Sequence, residues 1–144
     1  MEGYYLTKER QNMKKKVLKK KTITYAKAKR AAWKAFSLYI RTKDSFNGQA
    51  ECFSCGFIFP IKKIQAGHFI PGRRNSLLFD ERNCHAQCMR CNIFLKGNML
   101  EYYPRMQEKY GLDVIEGLKN LNYVTKQYKV WELIEIKEKY ESFT

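Results

Sequence analysis

Two cysteine pairs, Cys52-Phe-Ser-Cys55 and Cys88-Met-Arg-Cys91, stand 32 residues apart in a chain of 144. Each C-x-x-C unit turns tightly and aims two sulfurs at one point, so together they can supply the four-thiolate tetrahedron of a structural zinc. Such a clamp closes residues 52 to 91 into one loop, which must itself be folded, and supports a small motif otherwise short of core. An odd total of five cysteines that includes two such pairs suits a reducing compartment better than a disulfide framework; redox dithiols or buried free thiols are the other readings. Cys84 is left over, with nothing nearby to activate it, and reads as a small buried hydrophobe.

The clamped segment holds both histidines of the chain, His68 and His85, and four arginines, Arg73, Arg74, Arg82 and Arg90. Residues 57 to 70, "FIFPIKKIQAGHFI", read as short strands broken at Pro60 and Gly67, and "PGRRNS" (71 to 76) as a turn. Phe53, Phe57, Phe59, Phe69 and Phe79 are assigned to the core.

Charge is distributed unevenly around this centre. Residues 1 to 43 carry fourteen Lys/Arg and two Glu, the remainder fourteen basic and twelve acidic residues, for a net charge of +14. That excess favours a polyanionic partner, nucleic acid first and an anionic membrane surface second. The run "KKKVLKKK" (14 to 21) reads equally as a solvated tail or as a nucleic-acid contact. From Thr24, a candidate N-cap, Tyr25, Ala28, Ala32, Ala35, Phe36 and Tyr39 recur on one helical face, with Lys27, Arg30, Lys34 and Arg41 roughly opposite. Residues 43 to 51, with Asn47-Gly48, predict a loop. Helices are predicted at Pro104 to Tyr110, which Gly111 ends, at Asp113 to Leu121 and at Thr125 to Phe143. No apolar run is long enough to cross a bilayer, and no secretory signal opens the sequence, so a cytoplasmic protein is expected.

His68 after a strand-like run, Asn83 five residues before the second cysteine pair and Asn92 immediately after it resemble the HNH endonuclease motif in its His-Asn-Asn form. The resemblance implies an α+β fold: a zinc-stapled ββα-metal (HNH) core with a basic N-terminal helix and C-terminal helices. It implies that His68 activates water, that Asn83 braces the loop between strands and that Asn92 ligates a catalytic cation. These residue types suit phosphodiester hydrolysis, because an imidazole with a pKa near ~6.5 can take a proton at neutral pH. One Mg²⁺ or Mn²⁺ with few protein ligands can act as the Lewis acid. A structural His68 is the competing reading.

Five further pieces, "CFSCG", "AGHFI", "LLFDERNCHAQCMRCN", "KGNMLEY" and "YGLDVIE", occur in the order of the NinG/Rap family of phage recombination proteins. That resemblance, over approximately residues 14 to 140, implies a phage-encoded endonuclease acting on branched DNA, notably Holliday junctions, in the bacterial host. Many members of the family carry an acidic residue three places before the first histidine, where this chain has Gln65, and some carry a cysteine-rich segment ahead of the basic helix that is missing here. His85, which alternation places on the same face as Asn83, is the natural substitute at the metal or the phosphate; it reads equally as a histidine that steadies the hairpin. Arg73, Arg74, Arg82, Arg90 and Lys96 are candidate phosphate clamps near the cut, the other reading for some of them being solvation or a pair with Asp80 or Glu81, with Lys27, Arg30 and Lys34 along the first helix.

The expected organisation is a basic arm (1–23), a basic helix and loop (24–50), the zinc-bearing core (51–97) and a helical segment (98–144). Two equivalent strands at a junction imply a homodimer with two active sites, assembled through helices outside 52–97. The alternatives are a non-catalytic zinc-containing DNA-binding accessory and a generic HNH nuclease on duplex DNA.

Overall fold

The computed structural model describes residues 22–71 and 74–144, so the lysine run and Arg73 lie outside the described residues. The chain is a mixed α+β unit with two small two-stranded sheets. Its first helix, α1 (Tyr25–Thr42), is capped by Thr24, whose hydroxyl accepts the Lys27 N–H at 3.4 Å. Ala28, Ala32, Ala35, Phe36 and Ile40 form its buried face. The segment predicted as a loop contains a tight turn: Asn47 and Gly48 take φ of 50° and 72°, and Phe46 and Gln49 exchange backbone hydrogen bonds of 2.9 and 3.0 Å around them.

That turn leads into β1 (Gln49–Glu51), which pairs antiparallel with β2 (Ile58–Pro60), the first cysteine pair forming the connection. A second hairpin joins β3 (Ile64–His68) to β4 (Cys84–Cys88), with His68 opposite Cys84 and Gly67 opposite His85. Between them lie a short helix, α2 (Asn75–Leu78), and a 3₁₀ turn, Glu81–Asn83. After β4 come a π-helical turn at Arg90–Phe94 and the helices α3 (Met99–Tyr110), α4 (Leu112–Leu121) and α5 (Val130–Glu141).

The second hairpin is covered on both faces. Against α1 it presents Ala66 and Cys84, which pack with Phe36 and Ile40; Cys84 is fully buried there, and burial pushes its thiol well up. The other face meets α3 and α4, where Tyr102, Met106, Ile115 and Leu118 enclose Phe69 and Leu77. Helix α5 runs alongside α1 in the same direction: Leu133 sits against Ala28 and Ala32, and the Tyr140 ring meets Phe36 edge-on at 5.0 Å. The alanines permit this close approach. Truncating Phe36 to alanine in such a layer costs about 3–5 kcal/mol.

Four expectations change on contact with the fold. Gly67 does not break a strand but sits inside β3, because a Cβ there would collide with the Gln87 side-chain amide and stand 2.9 Å from Asn92 Oδ1. Pro104 lies within α3, which starts earlier, after Asn98 (φ 51°); the proline leaves the Leu100 carbonyl without its helical donor in a first turn where Leu100 is 90% exposed. Helix α5 begins at Val130 rather than Thr125, since Glu132 Oε2 accepts the Lys129 N–H at 2.7 Å and caps it there. Phe57, assigned to the core, is 66% exposed just before β2.

Candidate functional site

Sγ atoms of Cys52, Cys55, Cys88 and Cys91 all lie within 4.8 Å of one another, and none of the cysteines is in a disulfide. Zinc bound by four sulfurs at ~2.3 Å sets the sulfurs about 3.8 Å apart, and Cys55 and Cys88 are 3.9 Å apart. The set fits a metal such as zinc. Supporting hydrogen bonds come from the Asn98 side-chain amide to Cys91 Sγ at 3.3 Å and from the Cys91 N–H to Cys88 Sγ at 3.5 Å. Burial pushes the Cys91 thiol up to about 12, so its thiolate needs a cation beside it. The two cysteine turns are also tied to the hairpin: Phe53 N–H donates to Ala86 O at 2.7 Å, and Gln87 Nε2 donates to Ser54 Oγ and Gly97 O.

On the outer edge of β3 a groove of about 1280 Å³ opens between α1 and the turn after β4. His68, Asn92, Trp33 and Ala66 line it together with Lys29, Arg30, Arg74 and Lys96. A smaller hollow of about 360 Å³ continues past Trp33 and Asn92 to Gln65, Ser37 and Arg41. Among the described residues no carboxylate lines either hollow. The His68 ring stacks on Trp33 with centroids 5.2 Å apart and planes 25° apart. Its Nε2 lies 3.1 Å from Leu78 O. A carbonyl can only accept, so Nε2 carries the proton and Nδ1 keeps the lone pair, with no partner among the described residues. Burial holds this imidazole below its ordinary pKa and so neutral at pH 7.

Asn83 is fully buried and closes the loop that follows His68. Its Oδ1 accepts the Ile70 N–H at 2.9 Å, its Nδ2 donates to Ile70 O at 3.0 Å, and its backbone carbonyl accepts from Phe69 at 2.8 Å. Asn92 reaches back across β3, and its Nδ2 donates to Gln65 Oε1 at 2.8 Å. His85 is elsewhere. It is 2% exposed on the opposite face of the hairpin, its Nδ1 2.9 Å from Tyr102 OH, its Nε2 2.7 Å from Tyr110 OH and its ring stacked on Phe53 at 4.1 Å. Burial first, then Lys109 and Lys43, press its pKa down to about 3. The suggested service of His85 to a cation or phosphate is therefore corrected: both nitrogens are engaged, and the sheet separates it from His68.

The family described as Bacteriophage Lambda NinG protein matches residues 5–144. The chain belongs to the phage NinG family. Protein ninG of Escherichia phage 933W is 31% identical over 111 residues, covering 76% of this chain and 53% of that protein. Protein ninG of Salmonella phage P22 is 31% identical over 90 residues (62% and 42%), and that of Escherichia phage lambda 28% over 111 residues (76% and 52%). The chain spans about half the length of the curated relatives it matches. No solved structure matches it.

In this NinG-family chain the expected phosphate clamps divide. Arg30, Arg74 and Lys96 reach the groove, whereas Lys27 and Lys34 are exposed on α1 outside its lining and Arg90 is exposed on the π-helical turn. Arg82 takes the other course open to these arginines, a pair with a neighbouring acid: it forks onto Asp80, with Nε 3.0 Å from Oδ1 and Nη2 2.7 Å from Oδ2. Trp33 and Lys29 join the lining without having been singled out. The signal for Trp33 was its place on α1 in the stripe Ala26, Arg30, Trp33, Ser37 and Arg41, at the border between the apolar and basic faces. Among the described residues no helix is long and apolar enough to cross a membrane.

Proposed function

We propose that this NinG-family chain is a divalent-metal-dependent DNA endonuclease of the HNH type, cutting branched recombination intermediates such as Holliday junctions in the phage's bacterial host. The observation that carries the reading is a neutral histidine with one nitrogen held by Leu78 O and the other, among the described residues, unpartnered, in a groove to which those residues bring four cationic side chains. In this reading the DNA backbone lies in the groove, with Lys29, Arg30, Arg74 and Lys96 offsetting its charge. A water stands in line with the scissile phosphorus, and His68 Nδ1 takes one of its protons as its oxygen bonds to phosphorus. The backbone P–O bond breaks, the leaving oxygen takes a proton from solvent, and His68 returns its own to solvent. The carbonyl grip of Leu78 and the face of Trp33 keep the ring from turning.

Asn92 and Gln65 would hold a divalent cation through their amide oxygens, and it would supply a Lewis acid for the phosphate oxygens; the pair is neutral and no carboxylate lines either hollow among the described residues. Because burial lowers the His68 pKa, the base form is reached below pH 6.5. Cleavage is expected to rise with pH through a midpoint below 6.5 and then level off. The preference for branched DNA rests on the family resemblance, as does a homodimer making two equivalent cuts.

A four-way junction and a linear duplex of the same sequence, each incubated with Mg²⁺ and either the parent or His68→Ala, test the reading. Loss of cutting in the variant with DNA binding retained supports it; unchanged cutting removes His68 as base. Comparable cutting of the duplex would favour a generic HNH nuclease. The neutral Gln65–Asn92 pair favours a second reading, a DNA-binding accessory, which predicts binding without cutting by either protein.

A further inference from the structure

The turn after the second cysteine pair ends in an apolar tip. Ile93, Phe94 and Leu95 are 55%, 72% and 42% exposed in succession. Three large apolar side chains left side by side in solvent mark a surface that meets something, unlike apolar residues scattered singly. Asn92 and Lys96, the residues on either side, line the basic groove, so the tip stands on its rim.

The tip is firmly mounted. Lys96, Gly97 and Asn98 take φ of 50°, 96° and 51°, which turns the chain back on itself. The Leu95 N–H donates to Arg90 O at 2.8 Å, the Gly97 N–H to Cys91 O at 2.8 Å and the Asn98 N–H to Leu95 O at 2.9 Å. Beneath them the Asn98 amide reaches Cys91 Sγ at 3.3 Å, and the fully buried Gln87 donates to Gly97 O at 2.9 Å. A turn fastened to both the four-cysteine cluster and the hairpin thus holds the three side chains out in one arrangement, so little ordering is left to be done on binding.

The surroundings select the occupant. Arg90 and Lys96 flank the tip, both exposed, and residues 82 to 100 contain no Asp or Glu. A second copy of this chain docked here about a twofold axis would gather two sets of these cations with no acid between them. An anion with flat apolar faces meets both demands, phosphates on the cations and a base on Phe94. Within an intact duplex each base is covered above and below by its neighbours. Where strands part at a branch, the last base pair has a free face, on which an aromatic ring can stack.

We propose that this tip reads the branch: Phe94, braced by Ile93 and Leu95, stacks on the base uncovered where strands diverge, while the groove beside it holds the backbone. This rests on the groove being the DNA site proposed above, but not on cleavage. Phosphate contacts then supply affinity for any DNA, and Phe94 supplies the preference for a junction over a duplex.

Binding of a four-way junction and of a linear duplex of the same sequence is followed by anisotropy with the zinc-loaded full chain, without Mg²⁺ or Mn²⁺ so that no strand is cut. Phe94→Ala is expected to lower junction affinity about five- to a hundredfold, the usual worth of one base–aromatic stack. Duplex affinity, and the slope of log affinity against log salt, should stay as in the parent. Phe94→Trp should keep the preference and add a junction-dependent quenching of fluorescence beyond that of the parent's Trp33 and Trp131. Phe46→Ala removes an aromatic ring that is 79% exposed outside the groove lining, and should leave the preference intact. A Phe94→Ala protein that still prefers the junction overturns the proposal, as does a matching loss in Phe46→Ala. Equal loss on both DNAs also overturns it, and if sedimentation shows a dimer falling apart in the variant, the tip belongs to a second copy instead. Should Phe94→Ala fail to fold by circular dichroism, Phe94→Trp decides, since absent quenching by the junction overturns the stack. A parent that binds both DNAs equally yet loses cutting in His68→Ala removes the tip's role and leaves the nuclease reading. A junction preference carried by Phe94 in a protein that never cuts does the opposite.

Discussion

His68 and His85 occupy the two strands of one hairpin, and their surroundings differ in each respect that governs proton transfer. His68 faces α1 and the basic groove, with one nitrogen fastened to a carbonyl and the other without a partner among the described residues. His85 faces α3, with each nitrogen against a tyrosine hydroxyl and 2% of its surface exposed. The cause is strand parity. His68 pairs with Cys84, so Cys84 shares its face and the next residue, His85, must point the other way. On the proposed function His68 acts on the substrate, while His85 fastens the hairpin to the helix behind it.

The largest effect expected is common to both. Stripping the metal from the four cysteines should unfold the hairpin region, since structural zinc sites contribute roughly 10–16 kcal/mol of apparent binding energy at pH 7. Chelation followed by circular dichroism should show loss of structure that returns with zinc; unchanged melting would break the account at its base. Next, His68→Ala should lower junction cleavage about 10²- to 10⁴-fold, the usual worth of a general base, with little change in melting temperature. His85→Ala should do the reverse, costing about 2–4 kcal/mol by leaving a cavity and the Tyr110 hydroxyl without its imidazole partner, while Tyr102 OH keeps its bond to Gly67 O. Its cleavage per folded molecule should stay within a few-fold of the parent, and a folded, fully stable His85→Ala protein that cannot cut would collapse the distinction.

Acid sharpens the same contrast. The folded pKa of His85 is about 3, below its unfolded value near 6.5, so the unfolded chain binds the extra proton first. Its stabilising contribution is complete above about pH 6.5 and is lost progressively as the pH falls toward 3. Urea midpoints should therefore drop between pH 6.5 and 4 more steeply in the parent than in His85→Gln. The smallest effect belongs to the rim: Arg30→Ala or Lys96→Ala should reduce the slope of log DNA affinity against log salt by about one, with the midpoint of unfolding unchanged.

Much of this arrangement was legible in the chain because strong local rules apply there. The cysteine spacing announced the four-sulfur cluster and the helical period announced the buried face of α1. What escaped was set by packing across distance. Nothing local to Gly67 shows that Gln87 and Asn92 need the space its missing side chain leaves. Likewise Asn83 and His85 were read as sharing one extended run, but the 3₁₀ turn ending at Asn83 means that strand alternation starts only at Cys84. Trp33, marked only by its place at the border of the basic face of α1, was missed as a site residue because its partner, His68, lies 35 positions away on another element. Which of the arginines would pair with Asp80 was not decided by the sequence; the fork of Arg82, two residues on, matches it.

The most direct test of the central claim, that His68 supplies the base, is chemical rescue of His68→Ala by free imidazole in a single-turnover assay on a four-way junction with Mg²⁺. Cleavage restored in proportion to the concentration of neutral imidazole, with His85→Ala unaffected by the additive, is the predicted result. A His68→Ala protein that cuts as fast as the parent without imidazole would contradict it.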